Sequence, residues 1–162
     1  MMSEQSEALK AQIDKMRKDI AQRAKDTHSS VENAISQACL MVQRSAVLNM
    51  KNTQTNPDVS YGKRGHHPSV PGDAPAPDMG TLMRSVTFNI VKDGESKVTG
   101  YVGSVILDPP YPVYLENGTS KMLPRPWLAP AVDENRDAIL KLLSDGAQGR
   151  EVSVSGNIDV PD

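Results

Sequence analysis

The sequence predicts an α+β domain: a long N-terminal helix, with a possible break near residue 28, a small antiparallel β-sheet with a hairpin, and a C-terminal helix packed on that sheet. Three observations carry this expectation. Ser3 to Met50 contains neither Pro nor Gly and repeats apolar or small residues at steps of three and four. Two β-branched runs, Leu82 to Lys92 and Lys97 to Leu107, are separated by a short connector containing Gly94. After Pro130, helical spacing resumes and runs to Gly146. The order helix, loop, hairpin, helix cannot wind a parallel sheet, which requires alternating strands and helices.

The first helix rests on the stripe Leu9, Ile13, Met16, Ile20, Ala24, Val31, Ile35, Ala38, Val42 and Ala46, with one longer step across Thr27. If continuous, it spans roughly 60 to 70 Å at 1.5 Å per residue, longer than a small domain. Ser29 and Glu32 have the spacing of a capping box, so Thr27 to Ser30 is where a break is expected if there is one, with helix on both sides. The two halves differ in character. Lys10 to Asp26 is heavily charged around a thin apolar line, which suits an interaction arm, whereas Val31 to Leu48 is apolar over a wider, core-like face.

Residues 52–80 hold Pro57, Pro68, Pro71, Pro75 and Pro77 among four glycines, so neither a helix nor a central strand can persist there. A loop this long either binds something or becomes ordered in an assembly, or is a disordered surface loop. The hairpin follows, and Asp108-Pro109-Pro110 ends it. In the closing helix, Val132, Arg136, Ile139, Leu140 and Leu143 give the spacing. The expected division is therefore a charged arm over residues 1–28, an α+β core over 29–146 with its loop at 52–80, and a tail or edge strand over 147–162. A two-strand hairpin leaves open sheet edges, which invite pairing with another copy or another protein.

Composition bounds the partners. Hydrophobic residues make up 38% and aromatics 4% of the 162 residues, so the core is expected to be small and aliphatic. The net charge of -2 argues against a general nucleic-acid binder, which needs a basic face to displace counterions. Charge is nevertheless asymmetric: residues 1–51 carry eight basic and six acidic side chains, and residues 52–162 carry ten and fourteen. Cys39 is the only cysteine, which excludes an intramolecular disulfide and fits a reducing compartment. The N-terminus lacks a basic start followed by an apolar run, and nowhere do 18 apolar residues occur together. The expectation is a soluble chain made in the cytoplasm, with no membrane partner.

The sequence offers no convincing active site, metal site or cofactor site. The histidines are His28, His66 and His67, and there is no G-x-S-x-G elbow and no phosphate-binding G-x-x-x-x-G-K-[ST]. Cys39 lies between Ala38 and Leu40 on the apolar helix and reads as a small core filler rather than a reactive thiol. His66-His67 lack the surrounding ligand spacing of a metal centre. Asp133, Glu134 and Asp137 crowd the start of the last helix, where negative charge offsets the helix dipole.

Two stretches resemble the small minor tail components that serve siphophages as neck, head–tail joining or tail-completion proteins. One is the proline-rich loop His67-Pro68-Ser69-Val70-Pro71-Gly72-Asp73-Ala74-Pro75-Ala76-Pro77-Asp78-Met79-Gly80-Thr81-Leu82-Met83-Arg84-Ser85-Val86, ending in Gly-x-Leu before a strand. The other runs from Tyr111-Pro112-Val113-Tyr114-Leu115-Glu116-Asn117-Gly118-Thr119 through Pro124-Arg125-Pro126-Trp127 to Ala131, and is similar to a Tyr-x-x-Tyr-x-Glu-x-Gly-Thr followed by an aromatic between prolines. The resemblance covers roughly Val31 to Ser144. The charged extension before it and the tail after it are not typical, and Trp127 stands where Phe is usual.

The resemblance implies a non-enzymatic virion subunit assembled in the host bacterial cytoplasm. It would form a ring, in related assemblies a hexamer, between the connector or head-closure protein and the tail terminator or tail tube protein. No small-molecule substrate or cofactor is implied. The interface and structural candidates are Leu82 and Arg84 at the end of the loop, Tyr111, Tyr114, Glu116, Gly118 and Thr119 in the glutamate segment, and Arg125, Pro126 and Trp127 after it. Locally, Glu116-Asn117-Gly118-Thr119 reads as a turn with Gly118 at positive φ, and Trp127 reads as packing on a helix face or sitting at a subunit boundary. Lys63-Arg64 beside two histidines makes incidental contact with DNA in the channel conceivable. The competing reading is a cytoplasmic adaptor or regulatory module that binds a partner through its N-terminal helix. A small hydrolase using Cys39 or His67 is a third.

Overall fold

A computed structural model describes residues 2–62, 65–94 and 97–150. Its first element, α1, is a single helix over Met2–Lys51, about 75 Å long at 1.5 Å per residue. The break near residue 28 is absent. The reason lies in tertiary packing: Thr27 sits beside Gly149, and the carbonyl of Ser30 sits under Gly146, so the helix is clamped where a cap was expected. Glu32 is drawn away from capping-box geometry into an ion pair with Lys92 at 2.6 Å.

The long loop follows, held by local contacts rather than by regular structure. Thr55 bridges Ser69, Tyr61 bridges His66, and the Thr53 hydroxyl donates to the Ala74 carbonyl at 2.7 Å. A short helix, α2, spans Thr81–Ser85. The strand expected from Leu82 therefore begins later, as β1 over Val86–Asp93. Gly80, at φ 69°, turns the chain into α2, and the Ser85 hydroxyl closes that turn by donating to the Leu82 carbonyl at 2.7 Å. This local bonding and the burial of Leu82 outweigh the β-propensity of the run. Strand β2, Lys97–Ser104, pairs antiparallel with β1 from Val86↔Ser104 to Asp93↔Lys97.

Helix α3 covers Tyr111–Asn117, so Glu116 and Asn117 are helical rather than turn residues, while Gly118 does take the positive φ expected of it, at 73°. The closing helix is divided into α4, Ala129–Glu134, and α5, Arg136–Ala147. Asn135 makes the division: its side-chain amide donates to the Ala131 carbonyl at 2.7 Å, and its backbone N–H turns back to Val132. Nor does Gly146 stop the helix, since α5 runs through it. A Cβ there would lie 2.8 Å from Ala34 Cβ and 2.9 Å from the Ser30 carbonyl oxygen, so glycine lets α5 approach α1 closely.

The core is small and aliphatic apart from one aromatic. Val42, Ala46 and Met50 of α1 meet Leu82, Val86, Trp127 and Ala131 in one buried cluster. Tight backbone approach extends it: a Cβ at Gly100 of β2 would collide with Cys39 Sγ and lie 2.8 Å from Ile35 Cγ2. Polar ties fix the elements. The Gln43 amide donates to the Val86 carbonyl at 2.7 Å, and Ser45 and Asn49 both donate to the Glu134 carboxylate. Toward the N-terminus α1 leaves this packing altogether, and every side chain over residues 7–26 is exposed. No helix among the described residues is long and apolar enough to cross a membrane. The expected tail or edge strand with Val152 and Val154, the Lys63-Arg64 pair and Glu95 of the hairpin connector lie outside the described residues.

Candidate functional site

The two stretches singled out in the sequence meet in space, and one carboxylate joins most of the second. Glu116, near the end of α3, accepts backbone N–H bonds from Trp127 at 2.8 Å, Leu128 at 3.0 Å and Ala129 at 2.8 Å. Leu128, the N-cap residue, and Ala129, the first residue of α4, contribute orphan N–H groups of the helix start, Trp127 contributes the one just before them, and the N-cap makes no side-chain cap bond of its own. A negatively charged acceptor suits that end of a helix. The spacing of eleven to thirteen residues between acceptor and donors requires a reversal, which Gly118 supplies. A Cβ at Gly118 would come within 2.9 Å of both the Met122 carbonyl oxygen and Pro124, so glycine is needed for space as well as for φ. Thr119 then pairs its N–H with the Met122 carbonyl at 2.8 Å, and its hydroxyl accepts from the Lys121 N–H at 3.2 Å.

Trp127 is 4% exposed. Its indole N–H donates to the Pro112 carbonyl at 3.1 Å, tying the start of α4 to the first turn of α3. The proline-rich loop is bound to the same unit: the Arg125 Nε–H donates to the Ser69 carbonyl at 3.3 Å, the Arg125 backbone N–H donates to the Leu115 carbonyl at 2.7 Å, and Gly72 N–H donates to the Pro124 carbonyl at 2.9 Å. Beneath the loop, Pro75, Pro77 and Met79 face Met50, Tyr111 and Leu115 across a cavity of about 220 Å³. Partial burial beside this cavity raises the Tyr111 phenol above its ordinary value by desolvation.

Of the ten candidates, Glu116, Gly118, Thr119, Arg125 and Trp127 form one bonded unit, and Tyr111 packs against the core beside it. Leu82 is buried in the core cluster, and Pro126 is half-buried. Arg84 and Tyr114 face outward instead. The guanidinium of Arg84 folds back over Gly80, and Tyr114 and its chain neighbour Val113 are exposed on α3, as is Leu123 in the segment that follows. Sequence reasoning missed Ser69, Asn135 and the Glu134 clamp. Only Asn135, a poor helix former between two helical stretches, gave a local signal.

The residues weighed for chemistry are placed otherwise. Burial raises the Cys39 thiol by desolvation, and its sulfur lies under Gly100. His67 Nδ1 is 2.9 Å from the Val59 carbonyl oxygen, on the loop, whereas His28 is on α1. A comparison with protein-family models finds no match, and no curated protein or solved structure is significantly similar to the chain.

Proposed function

We propose that this chain is a non-enzymatic structural subunit of a long-tailed bacteriophage, forming a ring at the head–tail junction as a neck or tail-completion protein. The observation that carries the reading is the Glu116 carboxylate. It joins the Tyr-x-x-Tyr-x-Glu-x-Gly-Thr segment to Pro-Arg-Pro-Trp, while Arg125 joins both to the proline-rich loop. The stretches that resemble the tail-component family are therefore one mechanical unit, which is the expected property of a motif inherited whole. The unit does two things: it stiffens a loop that would otherwise be free, and it presents Val113, Tyr114 and Leu123 to a neighbour.

In this reading the partners are other copies of the chain, the connector or head-closure protein on one side, and the tail terminator or tail tube protein on the other. The protein acts by contact alone, with no substrate and no cofactor. Electron microscopy of lysates from the phage with this gene disrupted, with and without the gene supplied in trans, tests the proposal. Filled heads lying apart from tails, rejoined on complementation, are the expected result. Normally joined virions without the gene would overturn it and favour the adaptor reading, whose motivating feature is the exposed arm.

A further inference from the structure

An open apolar groove of about 460 Å³ runs along α1, floored by Ile35, Ala38 and Val42, with β2 on one side and Ile139 and Leu143 of α5 on the other. Its lining contains no charged side chain and no residue of β1, so the wall on the sheet side is the free edge of β2. In an antiparallel pair, alternate residues turn both N–H and C=O away from the partner strand. Among the described residues, no backbone group bonds to those that β2 turns outward between Val98 and Val102. Unpaired backbone groups above an apolar floor select an occupant by shape rather than by charge. The fitting partner is an extended segment that adds to the sheet edge and points alternate apolar side chains at the floor.

The chain itself contains such a sequence. Val152, Val154, Ile158 and Val160 alternate with Ser153, Ser155, Asn157 and Asp159, with Gly156 in the apolar register, so an extended backbone would carry one uncharged apolar face and one polar face. Direction and reach agree. β2 runs alongside α1 in the same direction, since Lys92, opposite Val98, pairs with Glu32, and Val86, opposite Ser104, accepts from Gln43. The α4 and α5 helices return the other way, from Glu134 at Ser45 and Asn49 to Gly146 at Ser30, and leave Gly149 beside Thr27. A chain continuing from there reaches the groove by turning back parallel to β2, and α4 with α5 is the helical crossover that a parallel pair requires. Thr27 and Val42 are fifteen positions apart on α1, about 22 Å along its axis, whereas nine extended residues span about 30 Å.

We infer that residues 152–160 occupy the groove of their own copy as a third strand, parallel to β2, with Val152, Val154, Ile158 and Val160 toward the floor on α1. The tether selects the same copy, because attachment at Arg150 keeps the segment at high local concentration beside its own groove. The added strand closes the sheet edge on the β2 side and leaves β1 as the edge open to a neighbour. The inference concerns one subunit and stands apart from the ring reading.

The test is amide hydrogen exchange of β2, read residue by residue by nuclear magnetic resonance, in three full-length chains: the natural one, the double variant Val154→Asp with Ile158→Asp, and the double variant Ser153→Asp with Asn157→Asp. All three carry the same helices, which circular dichroism checks. In the natural chain the amides that β2 turns away from β1 should exchange slowly. The apolar-face variant should accelerate them roughly tenfold or more, while the polar-face variant, with the same added charge, leaves them slow. Amides bonded to β1 should stay protected in every chain. Equal exchange of the outward amides in all three would overturn the strand. Protection that disappears when the natural chain is diluted to the monomer would overturn its placement in the same copy and assign the groove to the segment of a second copy.

Discussion

Replacing Glu116 with alanine should destabilise the domain more than any other single change at a partly exposed residue, because one side chain serves three backbone donors. The distances are 2.8, 3.0 and 2.8 Å, and the acceptor is a carboxylate. Hydrogen bonds to charged groups contribute about 1.5–3 kcal/mol where water cannot replace them. Ala129 is exposed, so water recovers part of its loss, whereas Trp127 N–H belongs to a buried residue. Side-chain caps of ordinary helices are worth about 0.5–2 kcal/mol. Weighing these, Glu116→Ala should cost about 2–4 kcal/mol, a fall in Tm on the order of 4–16 °C for a chain of this size. Glu116→Gln keeps an acceptor oxygen but turns an NH2 group toward backbone donors, and should fall between. Thermal and urea unfolding followed by circular dichroism measures the whole, and fluorescence of Trp127, the sole tryptophan, reports the site itself. A loss below about 0.5 kcal/mol, the range of an ordinary surface substitution, would refute the argument that this carboxylate holds the motif together.

Three further outcomes are expected. Gly146→Ala, which in an isolated helix would stabilise by up to about 1 kcal/mol, should instead destabilise by about 1–2 kcal/mol, because its Cβ meets Ala34 and the Ser30 carbonyl; urea midpoints decide the sign. Trp127→Phe should fold with the same far-ultraviolet spectrum but lose about 1–3 kcal/mol, because the indole donation to Pro112 at 3.1 Å disappears and a void remains. For Cys39 the folded thiol is raised above its ordinary value of 9.0, so its contribution to stability is complete below that pH and is lost as pH climbs above it. Tyr111 adds a second loss only from its own ordinary value of 10.0 upward, so a decline in unfolding free energy between these two pH values should be present in the natural chain and absent in Cys39→Ala.

The α+β class and the order of elements were legible because they follow from periodicity and from Pro and Gly placement, which are local signals. The continuity of α1 was not, because the Ser29/Glu32 spacing is overruled by contacts from distant parts of the chain: Gly146 over Ser30, and Lys92 pairing Glu32. The same holds at Gly146, which has the sequence appearance of a helix stop and the structural use of a close helix–helix approach. At α2 the β-rich composition misled, since Gly80, buried Leu82 and the Ser85 hydroxyl bend five residues into a turn of helix. Within the candidate site, Gly118 at positive φ and a packed Trp127 could be read from residue type, whereas the role of Glu116 depends on donors eleven and more positions away that no local pattern marks.

Purified virions offer the most direct test of the neck reading. Quantitative mass spectrometry of purified particles, with a gold-labelled antibody to the chain viewed by electron microscopy, should find it in every virion at low, ring-like stoichiometry, with gold at the point where head meets tail. Virions free of the chain, or label spread along the tail or over the capsid, would contradict it.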